Sequence, residues 1–258
     1  MRSLIICGWM VTVSLLGTAC SPVATQRDSG DGSQTPAEIN TQLGIEYMRQ
    51  GMYEASLEKL EKALRQDPSL PVAHSSIAIL YEQLGETELA DKHYRKAYNL
   101  NPKDPMVLNN YGQYLCRNGR LDEADEMFRK ALQDPLYRYP EMILTNAGLC
   151  ADKRPDIELA EKYFRQALQK NPSFQPALRQ MVRTSFARQQ YLATRAYLQR
   201  LQELAPLTPE FLWIGVRAES ALGDQNASSS YALLLKNQFP ESEQAQDLVE
   251  WERTRREQ

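Results

Sequence analysis

The sequence predicts an all-α fold, a right-handed superhelical solenoid of about six stacked helical hairpins closed by a capping helix. Three observations point to it. Segments end in proline at Pro68, Pro102, Pro172, Pro206 and Pro240, spaced 34, 70, 34 and 34 residues apart; the 70 is two 34-residue units plus two extra residues. Within a unit, apolar residues recur at helical spacing, as Leu121, Ala124, Met127, Phe128, Ala131 and Leu132 do. The same columns of each unit hold small residues, as two closely crossing helices require.

The units are 37–70, 71–104, 105–138, 141–174, 175–208 and 209–242. Position 8 holds Gly44, Ala78, Gly112, Gly148, Val182 and Val216. Position 20 holds Ser56, Ala90, Ala124, Ala160, Thr194 and Ser228, and position 27 holds Ala63, Ala97, Ala131, Ala167, Leu201 and Leu235. Gly51, Gly85 and Gly119 fall where each first helix should stop, in a left-handed turn that glycine suits. Asp-Pro and Asn-Pro close the second helices, because proline cannot continue them. A lone hairpin cannot bury its apolar face, so neighbours must stack. This is the tetratricopeptide (TPR) pattern. The first four units match it well and the last two have drifted. Residues 243–258 read as the cap, with Leu248, Val249 and Trp251 covering the last hairpin.

Before the repeats, Arg2 precedes a 13-residue apolar run from Leu4 to Leu16. A membrane-spanning helix needs about 20 residues, so 1–19 reads as a signal peptide. Cleavage after Ala19 by an ordinary signal peptidase would make Cys20 incidental. Cys20 reads instead as the lipidated first residue of a lipoprotein, a reading that the polar stretch after it supports. The stretch "LLGTAC" resembles a lipobox but has Gly17 where Leu or Val is usual. Residues 20–36 have few large apolar side chains and read as a tether with a reach of roughly 20–25 Å. Ser21 rather than Asp after the cysteine points, by resemblance to Gram-negative lipoproteins, to the inner leaflet of the outer membrane, facing the periplasm.

Little else carries chemistry. The formal charge is −3 with no basic run, so nucleic acid is not an expected partner. His74 and His93 lie 19 residues apart on different helices of one hairpin and read as packing residues. There is no Gly-rich phosphate loop and no metal or triad spacing; enzyme activity, a cofactor and a small-molecule substrate are not expected. Cys116 and Cys150 fall near one level of adjacent first helices. An oxidising compartment favours a bridge between them over two buried thiols.

Ligands of such solenoids lie in the concave groove lined by first helices, near positions 2, 5, 9, 12 and 13. In the first units these include Ile45, Met48, Arg49, Ile79, Gln83, Met106, Asn109 and Gln113. Isoleucine and methionine there point to an apolar protein segment as partner, unless some of them pack between hairpins instead.

The third and fourth units carry "NNYG" (Asn109 to Gly112) followed by Tyr114-Leu115-Cys116. "DPLY" lies between them at Asp134 to Tyr137, with Pro140-Glu141 after it, and Asn146, Gly148 and Cys150 follow. These motifs, with six repeats, lipobox, tether and terminal helix, resemble the type IV pilus biogenesis and stability lipoprotein family, pilotins of the pilus secretin. The resemblance covers the whole chain after the signal peptide. It implies a non-enzymatic factor that helps the secretin reach the outer membrane and multimerise there, and thereby supports pilus (fimbrium) assembly and twitching motility. Some members bridge the two cysteines. A general TPR adaptor lipoprotein in outer-membrane protein assembly is the alternative.

Overall fold

In a computed structural model, residues 34–154 and 157–256 are described. The signal peptide, Cys20 and the tether up to residue 33 lie outside them. Among the described residues there are thirteen helices and no strand. They pair in sequence: α1 (Pro36–Arg49) with α2 (Tyr53–Gln66), α3 (Pro71–Gln83) with α4 (Thr87–Leu100), α5 (Pro105–Arg117) with α6 (Leu121–Ala131), α7 (Pro140–Ala151) with α8 (Ile157–Lys170), α9 (Gln175–Ala187) with α10 (Tyr191–Leu204), and α11 (Pro209–Ala221) with α12 (Gln225–Gln238). The last helix, α13 (Glu243–Arg256), packs on α11 and α12. No described helix is long and apolar enough to cross a membrane.

Proline opens most of the first helices at N1 or N2, where its missing N–H is no loss. Thr35 and Glu38 form a reciprocal capping box on α1. Within a hairpin the helices touch where glycine meets a large side chain. A Cβ on Gly112 would stand 2.9 Å from the Phe128 ring, and Gly44 and Gly148 are similarly tight against Leu60 and Phe164. In the sixth hairpin this contact moves from position 8 to position 7: Val216 is fully buried, and Gly215 takes the place beneath Tyr231. Val216 keeps the bond across the crossing, its carbonyl accepting from Ser228 Oγ at 3.0 Å as the Gly44 carbonyl accepts from Ser56 Oγ at 2.7 Å.

Between hairpins, Tyr94 packs against Tyr114 and Tyr111 with ring centroids 4.7 and 5.8 Å apart. Cys116 and Cys150 are bonded, with Cα atoms 5.7 Å apart. The link closes a loop of 34 residues in sequence, which removes about 3–4 kcal/mol of freedom from the unfolded chain in the entropic model. It pins α5 to α7 where the extra residues would otherwise loosen the stack. From the fourth to the sixth unit, buried charges join the small residues in the packing. Glu219 is 2 % exposed and ion-paired to Arg195 of the preceding hairpin. Glu161 is likewise buried between Arg165 and Arg188.

The two histidines meet inside the second hairpin, Nδ1 to Nδ1 at 3.1 Å. His74 Nε2 lies 3.1 Å from the Pro68 carbonyl, which only accepts, so it donates there. A neutral His74 then accepts at Nδ1 from His93 Nδ1–H. Burial lowers both pKa values, that of His93 to about 4, so the pair is neutral at pH 7. Among the described residues no three His, Cys, Asp or Glu side chains gather as a metal site would need.

Four of the first helices end in one motif. Gly51, Gly85, Gly119 and Gly223 have φ of 74°, 80°, 75° and 79°. The N–H before and after the turn bonds back to the helix end, as Gly51 N–H to Met48 O and Met52 N–H to Tyr47 O do. The fifth unit makes the same bonds with Gln189 at φ 58°. The left-handed conformation costs a non-glycine residue about 1–2 kcal/mol, partly offset by the greater unfolded freedom of glycine. Gln189→Gly is therefore expected to stabilise the protein by about 0.5–1 kcal/mol, a melting-temperature rise of about 1–4 °C. An unchanged or lower melting temperature would contradict this account of the turn.

Candidate functional site

The first helices of the first three hairpins present one side to solvent, and a groove of about 520 Å³ opens between them. Its wall combines Ile45, Met48 and Arg49 of α1, Val72, Ser75, Ser76, Ile79 and Gln83 of α3, and Met106, Val107 and Asn110 of α5, with Asp104 at its edge. Helical spacing explains the set, since positions 2, 5, 6, 9, 12 and 13 share a face. Met106 is 48 % exposed and Val72 43 %, while Ile45 and Ile79 are half-buried. The groove is thus an apolar floor left open to water, with polar groups on its border.

That border is held in place. Asp104 caps α5, accepting from the N–H groups of Met106 and Val107 at 2.8 and 3.2 Å. Tyr137, from the segment between α6 and α7, donates its hydroxyl to Met106 Sδ at 3.2 Å. "DPLY" therefore supports the groove edge from behind. A second hollow of about 480 Å³ shares Ile79, Gln83 and Asn110 and adds Gln113, Glu82 and Arg117. There Arg117 makes a two-bond ion pair with Glu82, which also accepts from the Tyr94 hydroxyl at 3.1 Å. The bond from Glu82 raises the Arg117 pKa further, so this charge is fixed.

Six of the eight residues expected from the sequence thus line the main groove, and Gln113 stands in the adjoining hollow. Asn109 does not reach it. It is 2 % exposed, and its Oδ1 accepts from Asn146 Nδ2 of α7 at 2.9 Å. Its own amide bonds Asn110 Oδ1 at 3.4 Å, and the Asn110 amide bonds Ser75 Oγ at 3.2 Å. Asn146, Asn109, Asn110 and Ser75 form a hydrogen-bonded string across α7, α5 and α3, and Asn110 and Ser75 are the members that line the groove. Position 6 of the repeat, left out of the sequence-based lining, contributes Ser76 and Asn110. Val72 was legible from the sequence as the partner of Met106 in the position 2 column. Asp104 carried a capping signal before Pro105.

The string generates a prediction. Asn109→Ala leaves the Asn146 amide unpaired inside the protein, at a cost of about 1–3 kcal/mol. The melting temperature should fall by about 2–10 °C, with groove affinity unchanged in the folded protein. An unchanged melting temperature with weakened groove binding would return Asn109 to the groove.

Comparison with known proteins follows the fold. Family models for "YpiA-like, C-terminal tetratricopeptide repeats", "TPR repeat" and "Tetratricopeptide repeat" match residues 71–135, 44–85 and 110–174. The chain is 28% identical over 239 residues to the type IV pilus assembly protein PilF of Pseudomonas aeruginosa, covering 93% of this chain and 95% of that protein. It superimposes on the crystal structure of PilW, described as a widely conserved type IV pilus biogenesis factor. The TM-score is 0.74 at 32% identity, over 84% of this chain and 100% of that one. The solved structure of Pseudomonas aeruginosa PilF gives a TM-score of 0.74 at 29% identity, over 83% of this chain and 96% of that one.

Proposed function

We propose a function from one premise: this chain belongs to the family of tetratricopeptide-repeat type IV pilus biogenesis factors that includes PilW. Its role is in pilus assembly, as a scaffold that binds other proteins. In our reading the bound protein is the pilus secretin, and binding promotes its arrival at the outer membrane and its multimerisation. The observation that supports this most directly is the open apolar groove of the first three hairpins. Met106 and Val72 are costly to leave in water without a partner that covers them. A segment inserting one or two apolar side chains would find the floor of Ile45, Ile79 and Met48. Arg49 and Asp104 at the border offer one charge of each sign to set its direction. Interface energy concentrates in a few such anchors, each often worth about 2 kcal/mol or more.

Met106→Asp combined with Val72→Asp tests the groove, because both side chains are already about half in water. Heat-stable secretin multimers should fall by about tenfold or more, with helical circular dichroism unchanged. A folded double variant with a normal level of multimers would move the binding face elsewhere.

The proposed site of action is the periplasmic face of the outer membrane, reached through a lipid on Cys20. Acyl chains contribute about 0.8 kcal/mol per buried methylene, so several together hold durably. The stretch after Cys20 is polar, with few large apolar side chains, as a spacer between an anchor and a folded part would be. Cys20→Ala should release the protein from the membrane fraction and abolish labelling by a fatty-acid probe. Retention with unchanged labelling would refute the anchor.

A further inference from the structure

The groove-facing side of the first helices changes character along the chain. Position 9 is Ile45, Ile79, Gln113 and Leu149 in the first four hairpins and Arg183 and Arg217 in the last two. At that end the surface is built of cations on rings. The Arg217 guanidinium lies 5.0 Å from the ring of Phe186 and 5.8 Å from that of Trp213. Trp213 meets Trp251 of α13 edge-on at 5.9 Å. Arg255 lies 4.6 Å from the Trp251 ring and donates to Ser220 Oγ. Rings beside a guanidinium restrict its motion, and its remaining N–H groups can still donate to an oxygen ligand.

The charges of this surface are unbalanced. Arg183 is matched by Glu210 through two bonds, and Arg195 by buried Glu219. Arg217 and Arg255 are exposed, and among the described residues neither has a carboxylate within ion-pair distance. A planar, oriented guanidinium prefers a two-bond contact with a carboxylate or phosphate. The chain as a whole carries −3, which disfavours a polyanion such as nucleic acid but not a short acidic segment. Trp213 and Trp251 are half-buried beside the guanidinium groups, so their remaining exposed surface offers apolar contact to a bound segment.

We propose that this face of α9, α11 and α13 is a second binding surface, for an acidic peptide segment. Carboxylates of the segment bridge Arg217 and Arg255, and its aromatic or apolar side chains pack beside Trp213 and Trp251. The surface lies on other hairpins than the apolar groove and does not depend on the secretin reading.

A fluorescein-labelled peptide of alternating Glu and Tyr is the probe, titrated against the full chain by anisotropy. Two of the three tryptophans of the chain stand in the surface, so their fluorescence should change with the same midpoint. Binding should weaken as ionic strength rises. Arg217→Gln with Arg255→Gln should weaken it by about tenfold or more. Arg65→Gln with Arg138→Gln removes the same charge from distant exposed sites and should not. If the first double variant does not fold, Arg255→Gln alone, on the exposed terminal helix, must show the loss. Absence of saturable binding overturns the proposal. So does equal binding of a Lys-for-Glu peptide or of oligothymidylate, and so does an affinity indifferent to Arg255.

Discussion

Gly112 lies beneath the ring of Phe128 with no space for a Cβ, and Gly44, Gly148 and Gly215 make the same contact with Leu60, Phe164 and Tyr231. The rest of the solenoid depends on this crossing. It sets how closely the two helices of a hairpin approach, and so the direction in which the first helix presents its outer side. Repeated down the chain, it puts positions 2, 6 and 9 of successive first helices on one continuous face. A groove forms because these faces stay aligned while the second helices pack behind them. The second hairpin has Ala78 at the same position, a methyl group being the next smallest solution.

Ion pairs such as Arg117 with Glu82 join neighbouring hairpins, and the middle of the stack adds restraints of its own. Between the second and fourth hairpins these are polar and covalent: the string from Asn146 to Ser75 and the bond between Cys116 and Cys150. Buried amides are expensive to leave unpaired, so the string holds one register and tolerates few others. Lys153 adds a bond from its Nζ to the Cys116 carbonyl at 3.1 Å. Further on, where the repeat has drifted, ion pairs such as Arg195 with Glu219 and Arg188 with Glu161 link one hairpin to the next. A buried carboxylate with a fixed guanidinium partner is directional in a way that alanine packing is not, and it needs no small-residue column. The drift in sequence thus leaves the helical hairpin and its links to its neighbours in place.

One face thus carries two surfaces of different chemistry. The apolar end adjoins the amide string and the disulfide, and its border residue Met106 accepts a bond from the Tyr137 hydroxyl. The other end is built from guanidinium groups and indole rings on the last first helices and on α13. The capping helix therefore does more than cover the last hairpin: Trp251 and Arg255 extend the face by one more step. Leu248 is fully buried against the last hairpin, whereas Val249, expected from the sequence to cover it as well, is 59 % exposed, because among the described residues α13 has no second helix to pack on that side.

Most of the fold was legible because its determinants are local and repeated. The spacing of proline, the glycine turns and the alternation of small and large columns each act within one hairpin, and repetition makes the pattern clear. The pairing of Cys116 with Cys150 could be read from repeat arithmetic, since both sit at one level of adjacent first helices. Most of the groove lining followed from the same arithmetic. What the sequence left open were choices between neighbours on a helix. Asn109 and Asn110 are 100° apart around α5; only the amide of Asn146 arriving from α7 decides that the first is buried and the second faces the groove. The shift from Val216 to Gly215 and the meeting of His74 with His93 are of the same kind. So is the unbalanced charge of Arg217 and Arg255, because the sequence counts carboxylates and only packing decides which of them come within reach.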